Sequence, residues 1–206
     1  MFYTVLPVIT YWFICSILTY YKFDPIETIY NNKNQVTLYE TIQRVFILHL
    51  LQIIFTLPLE YRYPINELRW YYILGGILIL DTVEYWIHRF WHSNPYLYKY
   101  IHKTHHEMIC PWSFGALYNS YLEALFTGTT ITICFFLIFN YSFKEFSYVT
   151  TIGNIATIMD HCEFFDKCDF FNKKQHHRKH HEGHINKNFQ QPFFTFWDDW
   201  CGTKHF

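Results

Sequence analysis

Histidines in three clusters are the residues of this sequence whose types and spacing predict chemistry. The first cluster is a pair four residues apart, which a helix presents on one face. The other two clusters have the spacing HxxHH, and on a helical turn all three of their histidines lie on one side. The clusters are His88 and His92, then His102, His105 and His106, and finally His177, His180 and His181.

This pattern predicts metal binding. Neutral imidazole is the commonest protein metal ligand and suits Zn, Cu, Fe and Ni. Eight clustered histidines exceed the four ligands of one tetrahedral ion, so two ions are the simplest prediction. A lone HxxxH on a surface helix would usually be chance, but three clusters in order within 206 residues favour metal.

A zinc protease is the first alternative, and the sequence disfavours it. The dipeptides at 106–107 and 181–182 are both His-Glu and would each begin an HExxH motif. The fifth positions of those motifs are Cys110 and Ile185 rather than histidine, so the second ligand of such a site is absent.

Two carboxylates precede the first cluster on the same helical face. Asp81, Glu84 and His88 stand at positions i, i+3 and i+7. Carboxylates inside an apolar helix are costly and usually functional. We expect them to accept the second N–H of a ligating histidine. The alternative is that they only extend toward the membrane interface.

Composition and charge predict a membrane protein that does not bind nucleic acid. The 206 residues suffice for one domain, and the net charge of −1 gives no attraction for a phosphate backbone. Aromatic residues make up 23% and charged residues only 16%, as expected of a bilayer protein with interfacial Trp and Tyr.

Five apolar segments predict an all-α, multi-pass membrane helical bundle with about four transmembrane helices and a cytosolic, histidine-rich metal-binding cap. The first segment predicts a membrane anchor rather than a cleaved leader, because it lacks a basic start and a small-residue cleavage site. The last two form a hairpin that returns residues 161–206 to the side of residues 88–120, where basic residues favour the cytosol. The segments are 1–21, 41–59, 70–87, 121–139 and 146–159.

The chain divides by these patterns into two parts. Residues 1–69 are predicted to form N-terminal membrane helices and loops, and residues 70–206 the catalytic domain. We expect His49 to pack inside the bundle rather than bind metal, because it lies far from the clusters. His205 is expected to be a tail residue.

The clusters and their flanks resemble the fatty acid hydroxylase/sterol desaturase superfamily. Its pattern is HxxxH, HxxHH, a single later histidine and a second HxxHH. Here the pattern reads HRFWH (88–92), HKTHH (102–106), His161 in MDHCEF, and HRKHH (177–181). The flanks DTVEYWIHR and NFQQPFFTFWDDWCGT also match, and the resemblance covers about residues 70–206.

This resemblance implies a fold, cofactors and partners. It adds His161 to the ligands. It also implies a non-haem di-iron centre above a four-helix membrane core. It implies O₂ as oxidant, with electrons from NAD(P)H through cytochrome b5 or a reductase, and a lipid substrate that enters from the surrounding membrane lipids. It also implies the endoplasmic reticulum membrane, and no catalytic residue beyond the metal ligands is predicted.

The chain departs from the family pattern at two places. Many members carry HPxE after the second cluster, where this chain has Ser120 to Glu123, SYLE. In this respect SFGALYNSYLEAL, with QHHRKHH, looks most like the cholesterol 25-hydroxylase and C4-methylsterol oxidase branch. Some members also have HxxxH around the later histidine, but residue 165 is Phe. Candidates for a substitute ligand are Asn154, His176 and His184.

Three functions remain open from the sequence. The main hypothesis is an O₂-dependent lipid hydroxylase, methyl oxidase or desaturase, with a sterol favoured over a fatty acyl or sphingolipid substrate. The second is a metal-binding membrane protein without redox chemistry. The third is a structural member of the family that has lost catalysis, against which the complete set of nine histidines argues.

Overall fold

A computed structural model describes residues 1–24, 26–30, 33–63, 68–162, 164 and 176–205. Within these residues the regular structure is entirely helical, which confirms the predicted all-α class. The α-helices are α1 Phe2–Tyr20, α2 Ile26–Ile29, α3 Leu38–Arg62, α4 Trp70–His92, α5 Pro95–Leu97, α6 Tyr121–Ile133, α7 Phe143–His161, α8 His176–His181 and α9 Phe196–Cys201. A π-helical segment continues α5 over Tyr98–His102, another continues α6 over Cys134–Ile138, and short 3₁₀ turns cover His105–Glu107 and Ser113–Gly115.

Three of the described helices have the length and apolar composition to cross a membrane. They are α1, α3, and α6 with its π-helical continuation. On α1 the side chains of Ile9, Phe13 and Ile17 recur every four residues and are exposed, as a lipid-facing stripe would be. These helices support a membrane protein. Helix α4, which was also predicted to span, has 23 residues but is not among the three.

Close packing of α4 against α7 sets the frame of the bundle. A Cβ on Gly153 of α7 would lie 2.6 Å from the Leu80 Cδ2 of α4, and one on Gly76 of α4 would lie 2.6 Å from the Val149 Cγ2 of α7. The two glycines therefore let the helices approach more closely than side chains would allow. Helix α1 packs along the same α7.

Helix ends differ from the predicted segments for local reasons. Helix α3 continues past Pro58 to Arg62, because a proline so near the end of a helix removes only one of its last backbone hydrogen bonds. Helix α7 begins three residues earlier than predicted, at a capping box in which Ser142 and Glu145 bond each other's backbone N–H groups. Residue 165 lies outside the described residues.

Candidate metal centre

The structure brings all nine predicted ligand histidines together in two neighbouring groups. In each group one ring nitrogen per histidine lies within 4.8 Å of those of the other members. The five-histidine group contains His88, His92, His102, His106 and His180. The four-histidine group contains His105, His161, His177 and His181.

Each HxxHH motif contributes to both groups. His102 and His106 belong to the five-histidine group, whereas His105 belongs to the four-histidine group. In α8 the division is reversed, since His180 joins the five and its neighbours join the four. Within the α-helix α8, residues i and i+4 are only about 40° apart around the axis, but i+3 is about 100° from i+4. The expectation that the three histidines of a motif share one side is therefore too coarse.

Backbone carbonyls orient four of the nine rings. The Nδ1 atoms of His88, His105, His161 and His180 lie 2.7, 3.2, 2.8 and 2.6 Å from the carbonyl oxygens of Phe189, Tyr118, Thr157 and Lys187. A carbonyl only accepts, so each of these Nδ1 atoms carries the proton and donates it. The Nε2 atom of each ring is then left with a lone pair, which is the form that binds a metal ion.

A carboxylate orients a fifth ring, that of His102. Its Nδ1 lies 2.6 Å from Glu123 Oε1. Glu123 stands in the first turn of α6 because the Ser120 hydroxyl accepts its backbone N–H at 3.1 Å and caps the helix. The same hydroxyl donates to the Ile101 carbonyl at 2.5 Å, beside His102. Ser120, which departs from the family's HPxE, thus holds Glu123 against the ring.

The Nε2 atoms converge at separations that fit a common ion. His106 Nε2 lies 3.1 Å from His102 Nε2 and 3.2 Å from His180 Nε2, and His177 Nε2 lies 3.0 Å from His181 Nε2. Two nitrogens bound about 2.1 Å from one ion at right angles would be about 3.0 Å apart. Since His102 and His180 both point unprotonated Nε2 atoms at His106, a cation between them would remove the repulsion of their lone pairs.

Unpartnered nitrogens in the described structure lead to the same assignment. The Nε2 atoms of His88 and His105 are buried and have no hydrogen-bond partner, one in each group. Buried polar atoms are rarely left without a partner, so each of these two nitrogens points to a metal ion as its partner. The residues present therefore fit two metal ions.

Burial keeps the histidines in the metal-binding protonation state. Removal from water lowers the pKa of His105 to about 4. Burial, reinforced by repulsion among neighbouring imidazoles, lowers the pKa of His177, His180 and His181 well below the ordinary value of 6.5. These rings are therefore neutral at neutral pH and available as ligands.

Asp81 orients His88 through an intermediate segment. Its carboxylate accepts hydrogen bonds from the Gln190 side chain and from the backbone N–H of Phe193 at 2.7 Å. It thereby holds the chain beside Phe189, whose carbonyl bonds His88. Asp81 stands seven positions before His88, about 10 Å away along the helix axis. The N–H of His88 is therefore accepted by the carbonyl of Phe189 and not, as predicted, by the carboxylate of Asp81.

Asp198 is a buried organising residue that the sequence analysis did not single out as a site residue. Its carboxylate accepts from the backbone N–H of Phe189 at 3.1 Å and of Gln190 at 2.7 Å, and from the Thr203 hydroxyl at 2.6 Å. It also lies 3.0 Å from His176 Nε2. These contacts position the Phe189 carbonyl. Its place in the WD…GT stretch of the family pattern was the signal available for finding it.

The three candidates for a substitute ligand lie outside both groups. His176 contacts Asp198, the exposed His184 stacks on His205 at 3.8 Å, and Asn154 donates to the Pro7 carbonyl at 3.4 Å. His49 is also outside the groups. It is buried against Tyr11, as predicted, but it lines a cavity, and both of its ring nitrogens lack partners in the described structure.

Two cavities reach the histidines. The larger, of about 500 Å³, runs between α3, α4, α6 and α7 and ends on His88, His102 and His105. It therefore touches both groups, and most of its wall is apolar, with Glu84 and Glu123 among the polar exceptions. The smaller, of about 210 Å³, reaches His106 and His181 from elsewhere and has the polar residues Gln35, Lys103 and Glu107 in its wall.

Three similar proteins are lipid monooxygenases or hydroxylases by name. The chain is 37% identical over 134 residues to sphinganine C4-monooxygenase 2 of Arabidopsis thaliana, covering 62% of this chain and 52% of that protein. It is 33% identical over 150 residues to a sphingolipid C4-hydroxylase of Saccharomyces cerevisiae, covering 70% and 42%. It is 33% identical over 145 residues to methylsterol monooxygenase 1 of Rattus norvegicus, covering 66% and 48%.

The matches cover only part of each relative. The chain spans about half the length of the curated relatives it matches. No solved structure matches it. The sequence model of the family described as fatty acid hydroxylase matches residues 73–203, which contain all nine histidines of the two groups. The chain therefore belongs to the fatty acid hydroxylase family.

Proposed function

We propose that this protein is a membrane-bound, O₂-dependent hydroxylase of a long-chain lipid, with a sphingoid base as substrate. The observation that carries the proposal is the apolar cavity, which ends on histidines of both groups. Two of the helices that line it, α3 and α6, have the length and apolar composition to cross a membrane. A lipid in it would place one of its C–H bonds beside both metal positions.

The similar proteins favour a different substrate from the one that the sequence analysis preferred. The sequence analysis preferred a sterol over a fatty acyl or sphingolipid substrate. Two of the similar proteins named above are a sphinganine C4-monooxygenase and a sphingolipid C4-hydroxylase, and these support the alternative better. The similarity to a methylsterol monooxygenase keeps a sterol as the second candidate.

We infer that the two groups hold two iron ions. Bound iron would supply the power to reduce O₂ and to break an unactivated C–H bond, which no side-chain acid or base can do. In hydroxylation one oxygen atom enters the C–H bond and the other leaves as water, with two electrons and two protons supplied by a reductant. We propose NAD(P)H as their source, through cytochrome b5 or a reductase.

The chain's own residues bind the lipid and orient the metal ligands. The walls of the larger cavity hold the lipid chain and exclude water, while the anchored Nδ1 atoms keep five rings in place so that their Nε2 atoms face the ions. The smaller cavity provides a separate approach to His106 and His181 for O₂ or water. A cytosolic position of the groups, the endoplasmic reticulum as location and a catalytic domain over residues 70–206 remain part of this proposal.

The test combines metal content with lipid analysis. The protein is purified in mild detergent, its iron is measured, and lipids are extracted from cells that express it, with isotopically labelled O₂ in a parallel culture. We expect two irons per chain and a long-chain base that has gained one labelled oxygen atom. A labelled sterol would show that the substrate is a sterol and not a sphingoid base. Zinc in the purified protein, with unchanged lipids even after iron reconstitution, would refute the proposal.

A further inference from the structure

The larger cavity contains two carboxylates near its metal-facing end. Glu84 of α4 precedes His88 by four residues, so its side chain lies one helical turn from that ring on the same face. Glu123 of α6 holds His102 through Oε1. Both carboxylates line the cavity and are close enough to interact electrostatically.

Among the described residues, neither carboxylate has a lysine or arginine side chain as its partner. Among the described residues that line the cavity none is Lys or Arg. Glu84 has no hydrogen bond or ion pair with any described residue. Glu123 is only 6% exposed, and its second oxygen, Oε2, is buried without a hydrogen-bond partner in the described structure. A buried carboxylate oxygen without a partner is costly, so this arrangement points to a cationic ligand with hydrogen-bond donors.

A primary ammonium has the chemistry that this position requires. It carries one positive charge and three N–H donors, as a lysine ammonium does, and can therefore contact two carboxylates at once. In a 2-amino lipid oxidised at C4, three bonds of about 1.5 Å separate the nitrogen from the reacting carbon. The group that binds the ammonium must then lie close to the metal ions, as Glu84 and Glu123 do.

The charge of the ions makes ammonium binding in this cavity depend on both carboxylates. A histidine-only ligand set is neutral and leaves the full charge of two metal ions in a poorly solvated site. An ammonium beside them would be repelled unless anionic groups stood between. Glu84 and Glu123 are the carboxylates in the cavity wall that can do this.

We propose that Glu84, together with Glu123 Oε2, binds the ammonium of an amino-alcohol lipid and so selects a free long-chain base over its N-acylated form. This inference rests on the proposed function for the nature of the substrate. Acylation would remove the positive charge and two of the three N–H donors. Glu84 is then a specificity-determining residue that contacts substrate, in place of the predicted contact with a histidine.

The experiment compares two lipids that differ only at nitrogen. Tritiated sphinganine and its N-acetyl derivative are bound to the iron-loaded protein in lipid nanodiscs, and their dissociation constants are compared. We expect the wild type to bind the free base at least tenfold more tightly. Glu84→Gln should reduce that preference to less than threefold with two irons retained. Glu27→Gln, the same change at an exposed position outside the cavity, should keep it.

Several outcomes would overturn the inference. Equal affinity of the wild type for both lipids would do so without reference to any variant. An unchanged preference in Glu84→Gln would also do so, and loss of iron in that variant would make Glu84 a metal ligand instead. The proposed function fails separately: if neither lipid is oxidised while the preference depends on Glu84, the ammonium site stands and the hydroxylase does not.

Discussion

The two histidine groups differ in how the chain holds them. In the five-histidine group, rings from α4 and α8 are anchored by the carbonyls of Phe189 and Lys187, and a third ring by the carboxylate of Glu123. In the four-histidine group the anchors of His105 and His161 are carbonyls 13 and 4 residues away in sequence. Two of the three anchors in the five-histidine group therefore join residues 21 and 101 positions apart, whereas both anchors in the four-histidine group join residues at most 13 apart.

This difference predicts unequal sensitivity to mutation. A carbonyl of the same helix stays in place as long as the helix does, whereas Phe189 must be held by Asp81 and Asp198. An anionic partner also raises the basicity of a ligating histidine more than a neutral carbonyl does. We therefore expect changes in outer residues to weaken the five-histidine group first.

The largest expected effect comes from removing one ligand in each group. The His180→Ala variant should lose the ion of the five-histidine group, and the His105→Ala variant should lose the ion of the four-histidine group. In both variants the group concerned loses an inward-facing Nε2 atom. Each should lower lipid oxidation by more than about 100-fold, beyond the 10–100-fold typical of outer partners. Iron content and product yield are the measurements. His205→Ala should change neither, and equal losses in all three variants would contradict the ligand assignment.

Next in size is the loss of the Asp198 carboxylate. Asp198→Ala leaves buried donors on Phe189, Gln190 and Thr203 without an acceptor, so the free energy of unfolding should fall by about 3 kcal/mol. Thermal unfolding in detergent measures this, and iron should be lost from the five-histidine group.

The neighbouring aspartate provides the matched control. Asp199 has a side chain that is 51% exposed and lies 3.0 Å from Lys204 Nζ. Asp199→Ala should change stability by no more than about 0.5 kcal/mol. If the two variants were equally destabilised, Asp198 would not be the residue that organises the segment.

A smaller effect is expected from the Glu123→Gln variant. An amide can still accept from His102 Nδ1, but the negative charge is lost, so metal affinity at the five-histidine group should fall about 10-fold to 100-fold. Iron titration followed by spectroscopy should show one weakened site and one unchanged site. Weakening of both sites to the same degree would remove the distinction between the groups.

The smallest effect should come from a helix cap that contacts neither group. Thr37 caps α3, accepting the Glu40 N–H through its hydroxyl at 3.2 Å. Thr37→Ala should lower the free energy of unfolding by about 1 kcal/mol and leave iron content unchanged. A loss of iron in this variant would show that the start of α3 and the metal centre are coupled.

The sequence alone was enough to identify the residues that meet at the centre. Histidine spacing is a local property, because i and i+4 share a helix face whatever the helix packs against. The all-α class followed from the apolar segments in the same way. His161, a single histidine without such a spacing, was found only through the family resemblance.

Tertiary structure alone decided how those residues are shared and held. Which of the two groups each histidine of HxxHH joins depends on how α8 and α7 dock beside α4, and that docking depends on packing between residues distant in the chain. The contacts of Glu123 with His102 and of Phe189 with His88 join positions 21 and 101 residues apart. Sequence periodicity contains no information at those separations, so the contacts of Glu123 and Asp198 became visible only in the fold.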